Sequence, residues 1–271
     1  MNRRAIIGRP GGTAAATHRR PDWQWRVKLG RLGFRLNESS NLPAQRSLLS
    51  RLATRILPAP PVLMAVLFIP AGTLNFWQGW AYLGLYLAAS LSMVVYFYRR
   101  APQLLERRLL RKEKIGQQKI ILLLLKLHFG LVLVLCSLDQ RRGWTRDWLE
   151  PVPAWLTLLA LASIAGCQVI FIWVMDANRF AASIIQVEAG QTIADTGPYQ
   201  FVRHPMYAAG IVQSCFTPLA LGSFVVWPVF VLFIPILVWR LLNEEEKLRR
   251  DLPGYAKYCQ RTRYRLIPHV W

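Results

Sequence analysis

Two stretches of the chain gather the side chains that chemistry requires. The first, GPYQFVRHPMYAAG at 197–210, holds Tyr199, Arg203, His204 and Tyr207 between the backbone-fixing pair Gly197-Pro198 and an apolar run. The second, NEEEKL at 243–248, places Glu244, Glu245 and Glu246 directly after an apolar run. Tyr255, Tyr258, Arg261, Tyr264 and Arg265 follow it. Imidazole exchanges protons near neutral pH, and guanidinium and carboxylate groups bind opposite charge with direction. Singly, most of these residues have ordinary explanations. Arg203 suits a juxtamembrane cation, the tyrosines an interfacial belt, and Pro205 the first turn of a helix. The three carboxylates do not, because a helix C-terminus and a cytosolic membrane surface both favour cations. Arg240 and Glu244 lie four residues apart on one helical face, and Arg240 stands five positions before Glu245.

The elements that must position these residues are membrane spans. The chain has 271 residues, 54% of them hydrophobic, and a net charge of +20. Its apolar residues form long runs with basic residues between them, which is the pattern of a polytopic membrane protein rather than of a soluble nucleic-acid binder. Runs at about 62–77, 80–98, 120–138 and 155–175 predict four spans. The first is short and interrupted by Pro70, Gly72 and Asn75. The loop 99–119 carries eight Lys or Arg against two Glu, and 139–154 carries three Arg against three acids. The positive-inside rule therefore places 99–119 in the cytosol and 139–154 outside. As one straight helix, 208–241 would extend about 51 Å, against a hydrocarbon core of roughly 30 Å. Pro218, Gly222 and Pro228 near its middle predict a hairpin that returns Arg240 and the glutamates to the side of Arg203 and His204. The fold expected is all-α: four spans plus a C-terminal helical hairpin.

The predicted organisation has three parts: a basic, largely disordered segment at 1–57, a transmembrane bundle at 58–175 and a catalytic region at 176–271. Arg3-Arg4 and Arg19-Arg20 lack the apolar stretch of a cleavable signal, so none is expected. Leu48, Leu49, Leu52 and Ile56 share a helical face among arginines, as do Leu104, Leu105, Leu109 and Leu110; both patterns predict interfacial helices. Cys136, Cys167, Cys215 and Cys259 show no metal or disulfide spacing and read as packing residues. Within the spans, Lys126 reads as a snorkelling residue and His128 as a structural one. Gln168 either bonds across helices or lines a channel.

Together, Thr196-Gly197-Pro198-Tyr199, Arg203-His204-Pro205-Met206-Tyr207 and Gly210, followed by Arg240, Glu244-Glu245, Leu248, Tyr255, Tyr258 and Pro268, resemble the isoprenylcysteine carboxyl methyltransferase family. Phospholipid methyltransferases share much of this pattern. The resemblance covers the last eighty residues or so. It implies a multi-pass protein of the cell membrane that holds S-adenosylmethionine at the cytosolic end of the hairpin, without metal or nucleic acid. A lipophilic acceptor, an isoprenoid or lipid carboxylate, would reach the methyl group from the bilayer. Carried over by position, Tyr199, Arg203, His204, Pro205, Tyr207, Glu244 and Glu245 fall on the cofactor side. Arg240, with Glu245, becomes catalytic by orienting the acceptor. A carboxylate acceptor needs a guanidinium rather than a base; an amine would need neutral His204. The alternative is an NADPH-dependent membrane reductase of the sterol type, whose tail resembles YCQRTRYRLIP at 258–268. That family's upstream block differs at Met206 and Ile211. A non-enzymatic scaffold is the third reading, and it leaves the two-block motif unexplained.

Overall fold

The computed structural model describes residues 50, 52–54, 56–110, 116–178, 180 and 191–271. The described residues are helical, with no strand among them. The helices are α1 (Ala59–Ala71), α2 (Trp77–Arg100), α3 (Pro102–Leu110), α4 (Gly116–Arg142), α5 (Trp144–Trp148), α6 (Ala154–Ala177), α7 (Pro205–Ala220), α8 (Phe233–Asp251) and α9 (Tyr255–Arg261). Short 3-10 turns, Gly197–Gln200 and Trp227–Leu232, precede α7 and α8. Five stretches are long and apolar enough to cross a bilayer: Leu52–Ala71, Trp77–Arg100, Gly116–Arg142, Ala154–Ala177 and Trp227–Asp251. The protein is a polytopic helical membrane protein. Its residues 1–49 and the loop residues 111–115, 179 and 181–190 lie outside the described residues.

Successive helices run in opposite directions, so the bundle has a near end, with Arg100, Gly116, Ala177 and Pro205, and a far end, with Ala71, Arg142, Ala154 and Ala220. Its main core buries Leu67, Phe76, Tyr82, Leu133, Ile164 and Leu221. Outward leucines such as Leu91, Leu123, Leu127 and Leu158 remain exposed. In lipid that is where apolar side chains belong, because the backbone is already satisfied within each helix. α7 packs chiefly on α6, where Thr157 donates to the Leu219 carbonyl (3.3 Å) and Gln168 donates to Gln213 (3.1 Å). Gln168 therefore bonds across helices. Lys126 faces outward and is exposed.

Three expectations need correction. The first span begins about ten residues earlier than its apolar run suggests, at Leu52, and ends at Ala71. There Gly72 adopts φ 66° and caps the helix by accepting its left-handed geometry. The predicted interfacial faces are not surface-bound where they can be described. Leu52 packs in one cluster with Phe97, Leu104, Leu105 and Met175, and Ile56 rests against it. The leucines that looked like membrane anchors instead seal the near end of the bundle; Leu48 and Leu49 lie outside the described residues. The hairpin forms, but Pro218 stays inside α7 and Pro228 lies in the 3-10 turn. The break falls at Gly222, whose φ of 78° an L side chain would resist.

A buried carboxylate holds that turn. Asp139, near the end of α4, accepts hydrogen bonds from the Thr145 amide (2.8 Å), the Thr145 hydroxyl (2.5 Å) and the Ser223 hydroxyl (2.5 Å). Thr145 Oγ1 in turn accepts the Phe224 and Val225 amides. Asp139→Ala strands several of these donors at once, and each unsatisfied buried group costs about 1–3 kcal/mol. The thermal unfolding temperature in detergent should fall by several degrees. An unchanged value would show that the turn does not depend on this contact.

Candidate functional site

The near end places the two chemical stretches side by side. The sequence Arg203-His204-Pro205 leads into α7, with Pro205 as its first residue, where a missing N–H costs nothing. Its entry is pinned by the chain's last segment: the Arg203 amide donates to the Tyr264 carbonyl and the His204 amide to the Arg265 carbonyl, each at 2.9 Å. Tyr199 is held from below, its carbonyl accepting the Tyr258 hydroxyl (2.8 Å) and the Thr262 hydroxyl (3.3 Å). Asn178 donates to the Tyr199 hydroxyl at 3.2 Å. Tyr255 and Tyr258 pack beneath this layer with Leu252. Burial pushes both phenols up, with the Glu245 charge adding to the effect at Tyr255, so they stay protonated.

Glu245 is the centre of the first cluster. Its Oε1 lies 2.8 Å from Arg203 Nη1 and 3.3 Å from His204 Nε2. Its Oε2 accepts from Arg265 Nε at 3.0 Å, and Arg249 stands 3.8 Å away. Only 3% of Glu245 and 7% of Arg203 remain exposed. Arg203 also donates to Cys259 Sγ (3.3 Å) and the Arg263 carbonyl (3.1 Å). Its Nε is buried without a partner.

The second cluster lies one turn along α8. Glu244 accepts the Tyr207 O–H (2.5 Å), and the Tyr207 oxygen accepts Arg240 Nε (3.1 Å). Arg240 Nη1 donates to Gln118 Oε1 (3.2 Å), which ties α4 into the site. The Tyr207 ring stacks on His204, with centroids 5.5 Å apart and planes 12° apart, and so joins the clusters. The structure thus brings Arg203, His204, Pro205, Tyr207, Arg240, Glu244 and Glu245 together. Tyr199 sits at the margin, in the 3-10 turn before α7. Sequence reasoning missed Gln118, whose role depends on which helix faces α8. It also missed Asn243, whose amide nitrogen is buried with no partner. No local pattern marks Gln118, and Asn243 opens the NEEEKL stretch without drawing a role of its own.

The charge of this assembly runs against the sulfonium expectation. Arg203, Arg240 and Arg265 contact the carboxylates of Glu244 and Glu245 or the phenol between them, so guanidiniums outnumber carboxylates. Glu245 is already bonded by three cationic or imidazole partners and Glu244 by Tyr207, so neither is free to hold a positive centre. Arg240 is likewise engaged at two nitrogens and buried, not open at a mouth towards an acceptor.

Comparison with known proteins agrees. A family model described as "Ergosterol biosynthesis ERG4/ERG24 family" matches residues 174–271. It is a sterol reductase family whose members use NADPH, so it replaces both the methyltransferase activity and S-adenosylmethionine expected from the motif. The chain is also similar to the uncharacterized protein YpbQ of Bacillus subtilis (strain 168), 26% identical over 103 residues. That alignment covers 38% of this chain and 60% of YpbQ.

Breaking a buried ion pair from one side costs about 3–5 kcal/mol, because the surviving charge is left unpaired. Glu245→Gln should therefore destabilise the protein by that amount and free the C-terminal segment. Limited proteolysis with mass spectrometry would read cleavage after Arg261, Arg263 or Arg265. Wild-type resistance to cleavage would show that Glu245 is not the anchor.

Proposed function

We propose that this chain is an NADPH-dependent membrane reductase that saturates a carbon–carbon double bond of a lipophilic, isoprenoid or sterol-like substrate at the near end of the bundle. The site would face the cytosol, where the positive-inside rule puts the neighbouring loop and where NADPH is supplied. One observation carries the reading beyond the family match: Tyr207 holds a buried phenol between a guanidinium and a carboxylate.

The residues present suit a polyanionic dinucleotide. The buried clusters carry surplus positive charge. Arg263 and Lys257 are exposed and, among the described residues, have no carboxylate within ion-pair distance. Arg263 and Arg249 would hold phosphate groups, which guanidiniums bind through paired donors. Asn243 offers an unused amide donor to an uncharged carbonyl. NADPH, when bound, would supply hydride to one carbon of the alkene.

The chain's own residues supply the rest. Tyr207 delivers its phenolic proton to the other carbon, so that the alkene gains two hydrogens. Arg240 neutralises the phenolate left behind, holding it by the contact it already makes. Glu244, half-buried and bonded to the phenol, connects it to water for reprotonation. Arg203, His204 and Glu245 fix the helix start that aims Tyr207, and Pro205 sets its first turn. Tyr199 positions the turn before it.

The test is turnover by the purified protein with NADPH and a panel of sterol dienes and isoprenoid alcohols. NADPH oxidation should match formation of a product two hydrogens heavier by mass spectrometry. A general acid contributes about 10²–10⁴-fold, so Tyr207→Phe should lower kcat by that factor while NADPH affinity holds. Full turnover in Tyr207→Phe would remove the phenol from the mechanism. Absence of NADPH oxidation with every substrate would contradict the reductase reading.

A further inference from the structure

The far end of the bundle holds a cavity that the near-end chemistry does not use. It has a volume of about 280 Å³. Its walls include Asn75, Trp77 and Gln78 at the entry to α2, Asp139 and Gln140 near the end of α4, and Arg146 of α5. A single buried water needs only about 10–15 Å³, so the space admits a small molecule.

The two charged groups in the wall are already committed. Asp139 accepts the Thr145 amide and the hydroxyls of Thr145 and Ser223. Arg146 donates to the Gln140 backbone carbonyl at 3.2 Å. The side-chain amides of Asn75, Gln78 and Gln140 are not committed: among the described residues, none of the three has a hydrogen-bond partner. Gly222 leaves the Gln78 amide its place, since a Cβ on this turn residue would stand 3.0 Å from the Gln78 nitrogen.

These residue types select the ligand. One carboxylate and one guanidinium leave the cavity without net charge. An anion would meet Asp139, and a cation would find that carboxylate taken. A primary amide both donates and accepts, as a hydroxyl does, so three amides around one space match a group that carries several hydroxyls. Trp77, 46% exposed, adds an aromatic ring to the wall, and such a ring offers a flat apolar face. The C–H face of a sugar packs on that kind of surface while its hydroxyls turn to the polar groups at its edge. We propose that the far-end cavity binds a neutral sugar ring, carried by a glycolipid of that leaflet or free in solution. The inference stands apart from the reductase reading, because the two sites lie at opposite ends of the bundle.

The test uses the whole protein in phosphatidylcholine nanodiscs that contain equal amounts of monoglucosyl diacylglycerol, diacylglycerol and phosphatidylethanolamine. Native mass spectrometry reads which lipids stay bound on release from the disc, and equilibrium dialysis against tritiated glucose reads the free sugar. Glucolipid retained above both other lipids assigns the lipid-borne sugar; glucose bound without that preference assigns the soluble one. Gln78→Leu and Gln140→Leu should each weaken whichever binding is seen by about two- to tenfold, the range for one hydrogen bond. Asn75 is exposed, so Asn75→Ala leaves the packing intact and carries the test should either glutamine variant unfold. Retention of neither sugar, preference for phosphatidylethanolamine, or wild-type binding in every folded variant overturns the proposal and leaves the cavity to water.

Discussion

The near end of the bundle depends on one buried carboxylate. Glu245 projects from α8 into the start of α7 and the C-terminal segment, and Arg203, His204 and Arg265 close on it. These groups come from three parts of the chain that share no local structure. Charges buried this deeply are tolerated only when every one is paired and hydrogen-bonded. That requirement fixes where α7 begins, which way Tyr207 faces and where the tail lies.

Two consequences follow for the chemistry. A carboxylate used for architecture is not available for binding cations, so the site's free character is positive despite three adjacent glutamates. The neighbouring Glu244 is spared for Tyr207, and the phenol is left with one acidic and one basic neighbour. Adjacent residues on α8 thereby take different partners: Glu245 holds the framework and Glu244 accepts the Tyr207 hydroxyl. The far end repeats the architectural device with Asp139, which pins the hairpin turn through Thr145 and Ser223. Between these two anchors α7 is gripped at both ends.

The amphipathic logic of the spans was legible in the chain. So were the hairpin, from excess length and a central Gly222, and the oddity of Glu244–Glu246 beside a membrane. The location of the break was less so, because Pro218 in the last turn of α7 keeps its helical place. Leu52, Leu104 and Leu105 misled because an apolar stripe beside arginines looks the same whether it faces lipid or a neighbouring helix. The ligand was misjudged for a related reason. A motif reports which groups are present but not which are already paired, and the partners of Glu245 stand 41 and 42 positions upstream and 20 downstream. Gln118, in a span without motifs, became visible only when α4 was seen against α8.

Cofactor binding tests the charge argument most directly. Calorimetry on the purified protein, with NADPH and S-adenosylmethionine titrated separately at low and high salt, compares a polyanion with a sulfonium at one site. The account predicts that NADPH binds, that its affinity falls as salt screens the guanidiniums, and that S-adenosylmethionine neither binds nor competes. Binding of S-adenosylmethionine with no affinity for NADPH would contradict it.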